Sequence, residues 1–201
     1  MKERLRRWLW RGLWLILALA FGVQAWFFAH IAWWRGHDPG NTRFMRLALA
    51  ELQRGNPRAQ LAHAWVPYEE ISLHLKRAVI AAEDSHFLEH DGFDWDGIQF
   101  ALEKNLSRGQ MRAGGSTITQ QLAKNLFLSP SRSYLRKSQE AIITMMIEAS
   151  WDKRRILEVY LNIAQWGENL FGAEAAARRY HGISAARLGP AESARLAVML
   201  P

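Results

Sequence analysis

Cysteine is absent from the 201 residues, which excludes disulfides and thiolate metal sites and leaves any zinc to histidine and carboxylate ligands. Sustained period-two alternation is also missing, as is any internal repeat, so the pattern is that of a mainly α-helical chain. Excess charge is scarce outside the N-terminus. Lys2, Arg4, Arg6, Arg7, Arg11 and Arg35 against Glu3 hold five of the seven formal positive charges, leaving +2 for residues 36–201. A nucleic-acid partner therefore loses its main support.

Formally charged side chains are missing as well from Gly12 to Trp34, a run of 23 residues. As a helix it would extend roughly 35 Å, enough to cross a hydrocarbon core of about 30 Å with some tilt. Trp8, Trp10 and Trp14 mark one edge of the run and Trp26, Trp33 and Trp34 the other, as in interfacial aromatic belts. The basic cluster precedes the span, which predicts a cytoplasmic N-terminus and an exported remainder. A cleaved signal peptide, with Ala18-Leu19-Ala20 as its cleavage site, is the rival reading, but the apolar run continues well past Ala20. The expected division is a basic tail over 1–11, a transmembrane helix over 12–34, a juxtamembrane connector over 35–66 and a mainly helical domain over 67–201. The chain stops at "MLP" directly after an apolar helix, which raises the expectation that the end of the domain is truncated.

Within the connector, "TRFMRLALAELQRGNP" reads as a short helix opened by Asn41 or Thr42 and stopped near Gly55-Asn56-Pro57. "PYEEISLHLKRAVIAAED" reads as one helix with Pro67 in its first turn. "STITQQLAKNLFL" offers a capping box, Thr117 with Gln120, ahead of Ile118, Leu122 and Leu126 at four-residue spacing. Four further helices are expected in "SRSYLRKSQEAIITMMIEASW", "DKRRILEVYLNIAQW", "GAEAAARRYHG" and "GPAESARLAVML".

Ionisable residues crowd into "AAEDSHFLEHDGFDWDG", residues 81–97, where "HFLEH" fits the H-x-x-E-H pattern of one class of zinc peptidases. Against zinc, Gly92 and the aspartates predict an early helix end, and His63, His74 and His181 stand apart as third ligands. Glu83 closes an apolar helix, where a carboxylate can exchange protons near neutrality; the plain alternative is a solvated helix end. Gly114-Gly115 before the capped start of "STITQQLAKN" would suit an anion. Arg132, Arg136 and Glu140 share one helix face, either as an ordinary surface pair or as a cationic floor for a diphosphate with a second carboxylate at its edge.

Four stretches, "EDSHFLEHDGFD", "GGSTITQQLAKNLFL", "RSYLRKSQEAIITMMIE" and "ILEVYLNIAQWGENLFGAEAAARRYHG", follow in the order seen in peptidoglycan glycosyltransferases, and the chain resembles the free-standing, monofunctional kind over roughly residues 65–201. The resemblance implies a mainly helical, lysozyme-like domain of two lobes with a long cleft. It implies polymerisation of glycan strands from lipid II, a disaccharide-pentapeptide on undecaprenyl diphosphate. Glu83 would be the general base and Glu140 the second catalytic carboxylate. Lys124 and Arg132 would hold the donor diphosphate. Gln120, Gln121, Ser116, Thr117, Asn125, Arg136 and Lys137 would line the cleft, and Asp84, Phe87, His90 and Gly92 would shape the first motif. His86, on which the zinc pattern depends, belongs to none of these motifs.

No cofactor is required by the sequence, and the resemblance leaves open a divalent cation such as magnesium or manganese near Glu83. It implies lipid II, the nascent strand and the membrane as partners, with cell-wall synthesis and division proteins as further candidates, and a place in the bacterial inner membrane with the catalytic domain periplasmic. Two other readings stand beside it: a lysozyme-like enzyme that cleaves glycan with Glu83 as acid, and an inactive membrane-anchored scaffold. Lys124, Arg132 and Arg136 argue against the first, since a sugar leaving group has no diphosphate to bind. The intact motifs argue against the second.

Overall fold

A computed structural model of the protein describes residues 2–100, 115–131 and 133–200. Helix α1 (Lys2–Trp34) is followed by α2 (Arg43–Gly55), strand β1 (Ala62–His63), a 3-10 turn (Tyr68–Glu70) and α3 (Leu73–Glu83). Residues 95–100 form α4 up to the edge of that described segment. Then come α5 (Ile118–Phe127), α6 (Tyr134–Ser150), α7 (Lys153–Ile163), β2 (Gln165–Gly167), β3 (Leu170–Phe171), α8 (Ala173–His181), a second 3-10 turn (Ala185–Arg187) and α9 (Pro190–Ala197).

Polar side chains start most of these helices where the sequence places them. Thr42, Ser72, Thr117, Ser133 and Asp152 each accept a backbone N–H of the first turn, and Thr117 with Gln120 closes the expected capping box. Gly182, at φ 69°, ends α8 in the left-handed conformation that an L side chain avoids.

Two expectations change, and for the connector the structure shows which surface it packs on. The helix predicted from Pro67 is two pieces, because Ser72 leaves the helical path: its N–H donates to Ala185 O at 3.0 Å and its hydroxyl to Leu188 O at 2.6 Å. The helix predicted through Trp166 stops at Ile163, and Gln165–Gly167 enters a small sheet of order β1-β3-β2. There β1 runs parallel to β3 and β2 antiparallel to it. The stretch 35–66, read as a connector, is stitched into the domain. Val66 N–H donates to Asn162 Oδ1 at 2.9 Å, and Asn162 Nδ2 donates to Val66 O at 2.8 Å.

The core is continuous from the end of α1 to α9. α5 packs against α2, α6 and α7, and α3 lies along α9. Leu122, Ile143, Ile147, Ile156 and Phe171 are buried there, each contributing about 1.5–3 kcal/mol by removal of its apolar surface from water.

α1 divides by environment. From Trp8 to Val23 its large apolar side chains are exposed, whereas Phe27 and Ile31 are buried against the domain. Gln24 and Gln139 exchange amide hydrogen bonds at 2.8 and 3.0 Å. Trp151 Nε1 donates to Ile31 O at 2.8 Å, and the Arg155 guanidinium donates to the carbonyls of Trp34 and His37. Residues 6–34 are long and apolar enough to cross a membrane, and the last turns of that helix are part of the folded domain.

Candidate active site

α3 ends on Glu83, and Asp84 turns the chain towards the start of α5. Asp84 is buried with both oxygens occupied. Oδ1 accepts from His90 Nε2 at 2.9 Å, and Oδ2 accepts from the Ile118 N–H at 3.0 Å. His90 Nδ1 accepts from the Gly92 N–H at 3.1 Å. A ring nitrogen that accepts from an amide carries no proton, so His90 is the neutral tautomer protonated at Nε2. Asp84 therefore supplies the negative charge that the first turn of α5 favours. Thr117 Oγ1 donates to Gly92 O at 2.7 Å, and Phe87 is fully buried beneath the loop. Gly92, at φ 90°, has no room for a side chain, since a Cβ there would stand 2.7 Å from Thr144 Cγ2.

The anion position expected at the start of α5 is thus filled from within. Asp84 occupies it, while the Thr117 N–H donates to Gln120 Oε1 and the Gln120 N–H to Thr117 Oγ1. Thr117 and Gln120, expected to line the cleft, have these polar groups engaged in the cap. Residue 114 lies outside the described residues.

The zinc pattern is dismantled by the same geometry. Residues 85–92 form turns and bends rather than a helix, so His86 and His90 do not share a helical face. Both His90 nitrogens are engaged, and exposed His86 bonds Asp94 through Nδ1 at 3.0 Å. That hydrogen bond and charge raise the His86 pKa, while the Gly97 N–H and then His86 lower that of Asp94. Among the described residues no three His, Asp or Glu side chains converge on a metal position. With Asp84 fully engaged and Asp94 held by His86 and the Gly97 N–H, Glu83 is the carboxylate of this corner with an oxygen open to a divalent ion.

Glu83 is half-buried and borders a cavity of about 170 Å³ lined also by Ser85, Asp94, Gly115, Ser116 and Thr117. Gln121 Nε2 donates to Glu83 Oε2 at 2.7 Å, and Tyr160 donates its hydroxyl to Gln121 Oε1 at 3.0 Å. Burial first, then the charges of Glu83 and Asp84, push the Tyr160 pKa far up, so the phenol remains a donor. A phenol that donates to the amide oxygen fixes which end of Gln121 faces Glu83. Glu83 Oε1 has no hydrogen-bond partner among the described residues, which leaves a lone pair for proton uptake.

One turn beyond Gln121, Lys124 is half-buried on α5. Burial is the largest cause that lowers its pKa; Glu140 opposes this, Arg136 and Lys137 reinforce it, and Glu83 opposes it. Lys124 thus feels both carboxylates. Glu140 is 3% exposed and accepts from Arg136 Nη1 and Lys137 Nζ, one on each oxygen. Lys137 also donates to Ser116 Oγ at 3.2 Å, joining α6 to the segment that leads into α5. The family resemblance implies a catalytic role for Glu140, and that role stays an expectation. Each of its oxygens is held by a cation, so Glu140 also fixes where Arg136 and Lys137 stand. Asn125 is buried, and Arg132 lies outside the described residues.

Sequence reasoning assigned no role to Tyr160 or to a second polar cluster beneath the loop. There Glu148 Oε1 accepts from Thr119 Oγ1 at 2.6 Å and Lys153 Nζ at 2.8 Å, and Lys153 also donates to His90 O at 2.6 Å. Tyr160 lies in a quoted motif but at an apolar position of α7, where it reads as core.

Residues 50–201 match the family described as Transglycosylase. Over 199 residues the chain is 67% identical to the biosynthetic peptidoglycan transglycosylase of Azoarcus sp. (strain BH72), covering 99% of this chain and 86% of that protein. It is 63% identical over 191 residues to the protein of that name from Aromatoleum aromaticum, covering 95% and 83%. With that of Janthinobacterium sp. (strain Marseille) the identity is 60% over 191 residues, covering 94% and 83%. The chain belongs to the transglycosylase family.

Proposed function

We propose that this transglycosylase is a peptidoglycan glycosyltransferase that polymerises glycan strands from lipid II, with Glu83 as the general base. The observation that carries the catalytic assignment is the Glu83 carboxylate at the cavity wall, oriented by Gln121 through Oε2 and with Oε1 free of partners among the described residues. The 4-hydroxyl of lipid II gives its proton to Glu83 while its oxygen bonds to the anomeric carbon of the growing strand. The bond from that carbon to the diphosphate breaks, the lipid diphosphate leaves with the electron pair, and attack from the opposite face inverts the centre.

Charge gathers on the leaving diphosphate, which needs cations more than a proton. Lys124 supports that reading by its half-buried position within reach of the fields of Glu83 and Glu140. Arg132 joins it by the family motif, and Arg136 and Lys137, held by Glu140, extend the positive surface. Should a magnesium or manganese ion take part, the diphosphate oxygens and Glu83 would hold it, and it would share the charge that the Lys and Arg side chains otherwise bear.

The apolar helix α1 supports single-pass anchoring in the cytoplasmic membrane, with the basic tail inside and the catalytic domain in the periplasm. An enzyme whose substrate is confined to a bilayer gains from being held on the same surface. The experiment is incubation of the full chain with lipid II. Glycan strands from the wild type and none from Glu83→Gln support the assignment; strands of equal yield from both refute it.

A further inference from the structure

Where α1, α2 and α5 meet, a crevice of about 240 Å³ is lined by Trp26, His30 and Trp34 on α1, Phe127 on α5, and Arg43 and Arg46 on α2. The aromatic wall is built rather than incidental. Phe27 and Phe127 meet edge to face at 5.1 Å, and Trp34 lies 5.3 Å from Phe127. Opposite it, Arg46 Nη1 donates to Asn41 O at 2.6 Å, which orients its guanidinium. No carboxylate among the described residues forms an ion pair with Arg43 or Arg46.

Two physical arguments say that these arginines answer to something outside the chain. They follow the membrane span within about a dozen residues, on the side where the orientation proposed above puts the exported domain. Short segments there are normally poor in Lys and Arg. The first turn of α2 also contains no acid, and cations at that end of a helix oppose its dipole. Neither topology nor helix stability accounts for the pair, whereas an anion does. None of Glu83, Lys124, Arg136 or Glu140 lines the crevice.

We propose that this crevice binds the phosphate headgroup of one anionic phospholipid. Arg43 and Arg46 take the phosphodiester, Trp26 and Trp34 flank it at the membrane interface, and the acyl chains run back along the exposed flank of α1. The lipid would fix the depth at which the domain sits on the membrane. The proposal rests on the outward orientation of the domain, not on the catalytic assignment.

The test is native mass spectrometry of the full-length protein in detergent, titrated with phosphatidylglycerol or with phosphatidylcholine of the same chain length. Arg4, Arg6, Arg7 and Arg11 can hold anionic lipids of their own at the other face, so the reading is the difference between variants. The wild type should retain one more phosphatidylglycerol than Arg43→Ala/Arg46→Ala, with affinity at that site falling on the order of ten-fold. Single Arg43→Gln, at an exposed position, should show the same direction. Arg54→Ala, which breaks the exposed pair with Glu51 elsewhere on α2, should retain the wild-type number. Equal retention by the double variant, or equal retention of phosphatidylcholine, overturns the site. One-for-one displacement by lipid II overturns it too, by making it a substrate position. Failure of the polymerase reading would show in the lipid II assay instead, with lipid retention unchanged.

Discussion

Tyr160 reaches Glu83 through a single amide: its hydroxyl donates to Gln121 Oε1 at 3.0 Å, and Gln121 Nε2 donates to Glu83 Oε2 at 2.7 Å. The arrangement holds one oxygen of the base and leaves the other for the acceptor hydroxyl. Tyr160→Phe should leave the amide free to turn and lower kcat by about 10-fold, with KM for lipid II within two-fold, since the phenol touches no substrate. Loss of one hydrogen bond predicts roughly 1 kcal/mol of destabilisation by denaturant titration. A rise in KM with kcat unchanged would show that Tyr160 acts on binding instead.

Lys124 carries a signed pH dependence. Burial holds its ammonium below the ordinary lysine value of 10.5. Below the folded pKa the side chain is charged in both states, so the folded state bears the full cost of desolvation. As pH rises through the folded pKa towards 10.5 that cost disappears, and stability from this group increases. Lys124→Met should therefore be at least as stable as the wild type at neutral pH, with the advantage shrinking at alkaline pH, while kcat/KM falls on the order of 100-fold or more. In the wild type the alkaline fall of kcat/KM should begin below the usual lysine range, and Lys124→Arg should move it upward. Thermal melts and pH–rate profiles on one set of proteins check both halves.

Glu140 separates positioning from proton transfer. Glu140→Gln keeps the size of the side chain but removes the charge that holds Arg136 and Lys137. The expected result is a loss of about 1–3 kcal/mol in stability and a rise in KM for the lipid-linked donor. Proton transfer to Glu83 should persist, so the single-turnover rate at saturating lipid II and the acidic limb of the pH–rate profile should match the wild type. Loss of that limb in Glu140→Gln would give Glu140 a proton-transfer role.

The loop beneath the base depends on Asp84. Asp84→Ala strands the Nε2–H of His90 and the N–H of Ile118, which predicts about 2–4 kcal/mol of destabilisation. Adding His90→Ala should cost far less than it does alone, because its partner is already gone; additivity of the two would contradict the pairing. Gly92→Ala should cost about 1–3 kcal/mol, from φ 90° and the contact with Thr144 Cγ2.

Much of this was legible in the sequence because it is local. The capping box of Thr117 and Gln120 spans three residues, and the apolar run of α1 needs no tertiary context. What was hidden joins distant residues. Ser72 breaks the predicted helix because it meets Ala185 and Leu188, and Asp84 meets Ile118 across 34 positions. That second contact is why an apparent anion site at α5 is already filled. Strands of two or three residues are too short to show alternation, so β1, β2 and β3 left no pattern. Tyr160 lies on the buried side of α7, where a tyrosine reads as core until its hydroxyl is seen at Gln121. The H-x-x-E-H match failed because spacing implies a shared face only within a helix, and residues 85–92 are not helical.

The central claim is that Glu83 takes the proton of the acceptor hydroxyl. Glu83→Gln keeps the shape of the site and removes the base. Its single-turnover rate with lipid II, at saturating substrate and across the pH range, measures that step alone. A fall of about 100- to 10,000-fold, with loss of the acidic limb, is the expected result. A rate within a few-fold of the wild type, with the limb intact, would contradict the account.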